Sequence, residues 1–216
     1  MQQSATETDI AIDDGTVRLP AILGIPADPH GVVLFAHGSG SGRLSPRNQA
    51  VAQALQNAGF ITLLADLLTT DEARDSRRVF DIPLLTSRLL ACTHWVRTAD
   101  ATATLPIGYF GASTGAGAAL AAAAGAGDQV GAIVSRGGRP DLAAPYLRDV
   151  RAPTLLIVGG NDIPVIDLNR HALAQISGEK EMVIVPGATH LFEEPGAMEQ
   201  VAALARDWFQ THAYAQ

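Results

Sequence analysis

Short apolar runs alternate with longer helical patterns along this chain, and that alternation constrains the fold more than any single residue. The runs "GVVLFAHG" (31–38), "ITLLADLL" (61–68), "LPIGYFG" (105–111), "QVGAIVSRGG" (129–138), "APTLLIVGG" (152–160) and "EMVIVPGA" (181–188) are rich in Val, Ile and Leu. They lack strict apolar–polar alternation, which fits strands covered on both faces. Between them lie helical patterns. "SPRNQAVAQALQNAGF" (45–60) has Ser45 as a cap, Pro46 at the first helical position, Val51, Ala52 and Leu55 at helical spacing, and Gly59 as a stop. A helix is predicted over 82–97, with Leu85, Leu89, Leu90 and Trp95 near one stripe. Others are predicted over the Ala/Gly tract after residue 113, over "VIDLNRHALAQI" (165–176) and over "GAMEQVAALARDWFQTH" (196–212). Near the start, "TDIAIDDGTVRLPAILGIP" turns at Asp14-Gly15, a hairpin signal. Strands alternating with helices imply a parallel sheet with right-handed crossovers. The expected fold is a single α/β domain over 1–216: a mostly parallel central sheet, helices on both faces and an amino-terminal antiparallel hairpin.

In open sheets of this kind ligands bind beyond the carboxyl ends of the strands, so the residues just past each run carry the functional argument. After "LPIGYF" comes Gly111-Ala112-Ser113-Thr114-Gly115 and then a helix. This is G-x-S-x-G in a strand–turn–helix setting, where a sharp turn holds a hydroxyl clear of its own backbone. A serine nucleophile needs a base, and the base an orienting acid, in the chain order serine, acid, histidine. Downstream of Ser113, His171 falls inside a helical pattern and His212 near the carboxyl end. His190 alone sits in a loop just past a strand, in "VIVPGATHLFEEPG". For the acid, Asp162 follows the strand "TLLIVGG", whereas its rival Asp167 falls within the next helix. Glu193 and Glu194 follow the histidine and would break the order. An oxyanion needs hydrogen-bond donors. The backbone N–H groups of Thr114 and of Ser39, in the loop "HGSGSG", are assigned to it, and His37 is read as bracing that loop. Arg43 in the same loop and Arg136 past its strand either bind a substrate carboxylate or brace loops, and bracing is the preferred reading.

With 15 basic and 22 acidic residues the formal charge is −7. No broad cationic face offers itself to nucleic acid or an anionic membrane. Arg74, Arg77 and Arg78 cluster, but Asp71, Glu72 and Asp75 dilute them into a solvated loop or helix end. The single cysteine, Cys92, excludes an internal disulfide. The polar start "MQQSATETDIAIDDG" lacks the apolar core of a signal peptide. A cytoplasmic protein is expected, acting on a small molecule, with no metal or organic cofactor and an oligomeric state left open.

Taken together, "HGSGSG", "GASTG", "GGND" and "GATH", each after a strand and in this order, make the chain resemble an α/β-hydrolase, and more narrowly a small dienelactone hydrolase-like protein. The resemblance implies that Ser113, Asp162 and His190 form a catalytic triad. It also exposes a departure. Dienelactone hydrolases proper carry a cysteine nucleophile where this chain has Ser113, which favours ordinary ester chemistry. The 14-residue segment "RPDLAAPYLRDVRA" (139–152) is too short for a large helical lid, so small soluble acyl esters are the expected substrates. A non-catalytic receptor that keeps the triad, and a perhydrolase-like enzyme using peroxide as acceptor, stand as alternatives.

Overall fold

Val, Ile, Leu and Phe on both faces of a strand drive it between two layers of helix, and the computed structural model, which describes residues 5–213, is built that way. An antiparallel hairpin, β1 (Thr6–Asp13) and β2 (Arg18–Ile25), leads the chain, with Thr6 opposite Ile25 and Asp13 opposite Arg18. It is followed by β3 (Gly31–Ala36), α1 (Pro46–Asn57), β4 (Phe60–Ala65), a four-residue α2 (Ser76–Val79), α3 (Ile82–Thr98), β5 (Ile107–Ala112) and α4 (Thr114–Ala126). Then come β6 (Val130–Arg136), β7 (Thr154–Gly159), α5 (Ile163–Gln175), β8 (Lys180–Val185) and α6 (Ala197–His212). The eight strands order as β1-β2-β4-β3-β5-β6-β7-β8. β2 joins β4 antiparallel, and every later pairing is parallel.

The order β4-β3-β5 places a reversal at β3. From β3 the chain steps one way to β4 and then back across to β5, so successive crossovers of one hand lay their helices on opposite faces. The core divides accordingly. Val32, Leu34 and Tyr109 pack with α3 and α4 residues such as Leu85, Leu89 and Leu120. Val33, Phe35 and Phe110 pack with Leu55 of α1 and with Val201 and Phe209 of α6. A crevice at such a reversal is where open α/β sheets bind ligands, and here it lies between the loops that leave β3 and β5.

α4 is buried from Thr114 through Ala123, and its small side chains let it lie close to both the sheet and α3. The end of α1 is the expected one, with Gly59 at φ 88° just beyond Ala58. Its start differs in detail. Ser45 occupies the cap position but its hydroxyl caps nothing. Its carbonyl accepts the Gln49 N–H at 2.9 Å, and the fixed φ of Pro46 sets the first turn. α5 starts at Ile163, two residues before the predicted pattern, because Pro164 sits in its first turn. The segment from Arg139 to Ala152 forms two short 3₁₀ turns, Pro140–Ala143 and Leu147–Asp149, and no helical lid. Among the described residues no helix is long and apolar enough to cross a membrane. Met1 to Ser4, the first residues of the polar start, lie outside the described residues.

Candidate active site

The turn from β5 into α4 forces Ser113 to φ 51° and ψ −121°, a backbone region that side chains with a Cβ rarely occupy. Surroundings hold it there. The Ser113 N–H donates to the Arg136 carbonyl at 3.2 Å, and the Ser113 carbonyl accepts from Ala116 and Arg139 N–H groups at 3.1 and 3.0 Å. The turn is tight enough that a Cβ on Gly115 would stand 2.0 Å from the Ala36 carbonyl oxygen, and one on Gly111 2.5 Å from the Ala116 Cα. Both positions therefore exclude a side chain, and α4 begins directly against the end of β3.

His190 enters from the loop after β8, two residues before Phe192, which is buried at φ 55°. Its Nδ1 lies 2.7 Å from Asp162 Oδ2, and its Nε2 lies 3.4 Å from Ser113 Oγ. A carboxylate at Nδ1 fixes the proton there, so that Nε2 presents a lone pair to the serine hydroxyl. Asp162 stands at the N-cap of α5, yet its side chain caps no helical N–H. The backbone does that work instead, the Asp162 carbonyl accepting from Val165 and Ile166 at 3.0 Å, and the carboxylate is free to reach the imidazole. Asp167 lies exposed on α5 and pairs with Arg170 at 3.2 Å.

The loop after β3 is braced from below. Buried His37 accepts the Leu67 N–H on Nε2 at 2.8 Å and therefore carries its proton on Nδ1, which donates to the Gly38 carbonyl at 3.0 Å. Burial pushes its pKa down, so the ring stays neutral. Arg43 is tied to Asp66 twice, by its N–H at 2.6 Å and by its guanidinium. Its side chain thus braces the loop through Nη1.

A cavity of about 100 Å³ lies over Ser113, lined by Gly38, Ser39, Arg47, Arg136, His190 and Leu191. A wider open groove of about 490 Å³ runs along residues 40–47 and Asp66, sharing Ser41 and Arg47 with it, and holds none of the three residues Ser113, Asp162 and His190. Ser39 and Thr114 both border the space between the β3 loop and the start of α4. Their N–H groups donate to no other group among the described residues. Arg47 was not singled out from sequence. Its only signal is its place in the first turn of the helix that follows the glycine loop.

The family model for the dienelactone hydrolase family matches residues 19–215. The dienelactone hydrolase from Anabaena variabilis ATCC 29413 is 53% identical, with a TM-score of 0.94 over 97% of this chain and 99% of that one. A Mycobacterium tuberculosis protein, recorded in strains CDC 1551 / Oshkosh and ATCC 25618 / H37Rv and provisionally named a phosphoribosyl transferase, is 57% identical over 206 residues, 95% of this chain and 46% of that protein. The chain thus spans about half the length of the curated relatives it matches. An α/β serine hydrolase without lid from Xanthomonas campestris shares the fold, with a TM-score of 0.76 at 19% identity over 95% of this chain and 94% of that one.

Proposed function

The chain belongs to the dienelactone hydrolase family, and from that premise we propose that it is a serine hydrolase of carboxylic esters. One observation carries the reading: Asp162 Oδ2, His190 Nδ1 and Nε2, and Ser113 Oγ stand in one hydrogen-bonding line whose serine and histidine line a cavity. In this reaction His190 Nε2 takes the Ser113 proton as the oxygen attacks the ester carbonyl. Asp162 holds the imidazole and stabilises its charged form. The Ser39 and Thr114 N–H groups receive the oxyanion, the latter at the positive end of α4. His190 returns the proton to the leaving alcohol and then activates the water that releases the acyl group. The 3.4 Å serine–histidine separation is a resting distance of the kind that closes when substrate binds.

The small cavity over Ser113 and the absence of a helical lid across 139–152 favour short, soluble acyl esters. The setting we propose is the cytoplasm. Phosphoribosyl transfer is named for a relative of about twice this length, and the Ser113 line of groups supports acyl transfer for the segment matched.

Hydrolysis of p-nitrophenyl acetate tests the proposal. Ser113→Ala is expected to lower turnover by several orders of magnitude, on the order of 10⁶ as in a well-studied serine hydrolase, with the circular dichroism spectrum unchanged. A fluorophosphonate probe is expected to label Ser113. Turnover in Ser113→Ala within tenfold of the parent removes Ser113 as the nucleophile.

A further inference from the structure

Asn169 stands where an apolar residue would be expected. Its neighbours on the inner face of α5 are Val165, Ile166 and Ala172, and it is buried more deeply than any of them, at 0% exposed. Asparagine is a poor residue for a helix interior, and an amide costs free energy to bury unless it is hydrogen-bonded. Here both amide hydrogens have acceptors. Nδ2 donates to the Val165 carbonyl, one turn back on α5, at 2.8 Å, and to the Gly138 carbonyl, in the turn after β6, at 3.0 Å. The reverse orientation would set Oδ1 against two carbonyl oxygens, so the acceptors fix which way the amide points.

The Gly138 carbonyl belongs to the same peptide unit as the Arg139 N–H, and that N–H donates to the Ser113 carbonyl at 3.0 Å. In a trans peptide the two groups point in opposite directions. One peptide plane is thus gripped by α5 on one side and grips the backbone of Ser113 on the other. The same turn also holds the Ser113 N–H, through the Arg136 carbonyl at 3.2 Å. It lies against His190 as well, because a Cβ on Gly137 would stand 3.2 Å from the His190 carbonyl oxygen and 3.5 Å from its Nδ1. Asp162, at the head of α5, belongs to the helix that carries Asn169. A turn with glycine at 137 and 138 has little conformational preference of its own, so the orientation of its peptide needs an external hold. Ser113, at φ 51°, needs surroundings that over-determine it.

We propose that Asn169 is a positioning residue for the reaction: by clamping the Gly138–Arg139 peptide it keeps the Ser113 turn in its strained conformation and in place against His190. The proposal rests on the hydrolase reading above and adds a residue that serves it. Asn169 hydrogen-bonds to none of the three side chains of the Ser113 line and does not line the cavity over Ser113. It acts through one peptide. Without the clamp the Arg139 N–H is free to turn away, the Ser113 carbonyl keeps only the Ala116 N–H, and Oγ shifts relative to His190 Nε2. Misplacing a reacting group by about 1 Å costs on the order of 10² in rate. Acylation and deacylation both depend on this placement, so the loss falls on kcat and leaves KM near the parent's.

Three variants test this, each measured well below its own Tm. Asn169→Thr separates the two bonds. A threonine hydroxyl in a helix bonds back to the carbonyl four residues earlier, so Val165 keeps a donor and Gly138 loses one. Asn169→Leu removes both donors. Ala172→Gly, on the same buried face, weakens α5 without touching the Gly138 carbonyl and is the control. With p-nitrophenyl acetate, kcat is expected to fall on the order of 10- to 100-fold in both Asn169 variants with KM little changed, and fluorophosphonate labelling of Ser113 is expected to slow with it. Ala172→Gly is expected to keep the parent's kcat and labelling rate. Amide hydrogen exchange followed by NMR reads the clamp without any turnover: the Arg139 N–H is expected to exchange faster in Asn169→Thr than in the parent, and no faster in Ala172→Gly. Parental kcat in folded Asn169→Thr and Asn169→Leu overturns the proposal. So does an equal loss of kcat in Ala172→Gly, which would make the effect one of helix stability. If Asn169→Leu does not fold, Asn169→Thr carries the comparison, and parental kcat in it overturns the proposal. If the parent cleaves no ester, the hydrolase reading fails while the exchange of the Arg139 N–H still decides the clamp, and unchanged exchange in Asn169→Thr overturns it in either case.

Discussion

Asp162 and Asp167 are five residues apart, and only the first faces His190. A carboxylate at a helix N-cap ordinarily accepts from the helix's own free N–H groups, whereas Asp162 accepts from the imidazole through Oδ2. Asp162→Asn should keep a hydrogen bond possible but favour the wrong tautomer, costing up to roughly 10⁴ in turnover by analogy with a serine protease triad. Asp167→Asn, exposed and paired only with Arg170, should cost less than tenfold. Kinetics on the two purified variants decide it, since a reversed order of damage would remove Asp162 as the orienting acid. Ser113, Asp162 and His190 were legible in the sequence because each stands just past a strand, where the sheet's topology gathers side chains. Arg47 was not, because a basic residue in a helix's first turn has no local signature. Only the fold brings it across to Arg136. Of the two arginines that were singled out, Arg43 is spent on Asp66 and Arg136 is not, and nothing in their neighbours' identities announced that difference.

α4 shows how one element serves both the core and the chemistry. Its first turn is pressed on β3, and in its last turn Gly125 faces solvent. At Gly115 a Cβ would collide with the Ala36 carbonyl, whereas at Gly125 it would meet nothing within 4 Å. Gly125→Ala should therefore stabilise the helix by about 0.5–1 kcal/mol, because a residue other than glycine gives up less backbone freedom on folding. That corresponds to a rise in Tm of roughly 1–4 °C in a chain of this size. Gly115→Val should lower Tm and depress turnover further than the stability loss explains, since the start of α4 carries both the strained serine and the Thr114 N–H. Thermal unfolding and p-nitrophenyl acetate kinetics on both variants give the comparison, and a Gly115→Val protein with parental turnover would show that the close contact is not required. The helices and strands were readable because runs of apolar residues and their period are local. The four-residue α2 was not, since so short a segment presents barely one turn of pattern.

Across the whole molecule, the least legible feature is the one that ties its edge to its centre. Arg88 on α3 reaches Asp14 in the turn of the hairpin at 3.1 Å, and Glu72, in the loop after β4, through both carboxylate oxygens, at 2.5 and 2.8 Å. Sequence placed Glu72 among diluting surface acids, because its partner Arg88 is 16 residues away and the third member, Asp14, is 74 residues from Arg88. The network sets a pH dependence. The Arg88 guanidinium holds the Glu72 carboxyl down from 4.5 to about 2, against the opposing effect of burial. For Asp14 burial acts upward, but N–H groups of Val17 and Thr16, the Thr16 hydroxyl and Arg88 together hold it down from 3.8 to about 2. A carboxylate with a depressed folded-state pKa stabilises the fold fully above its ordinary value and loses that contribution as pH falls through the folded one. The window here runs from about pH 4.5 down to about 2. Urea unfolding of the parent should therefore show stability falling steeply across it. Arg88→Met removes the buried cation and should cost about 3 kcal/mol at neutral pH, as for a broken buried pair. In that variant the acid-side slope should be shallower, because Glu72 and Asp14 then titrate closer to their unfolded values. A variant as stable as the parent at pH 7, or one with the same slope below pH 4.5, would show that this network adds nothing to the strand pairing and packing that hold the hairpin to the sheet.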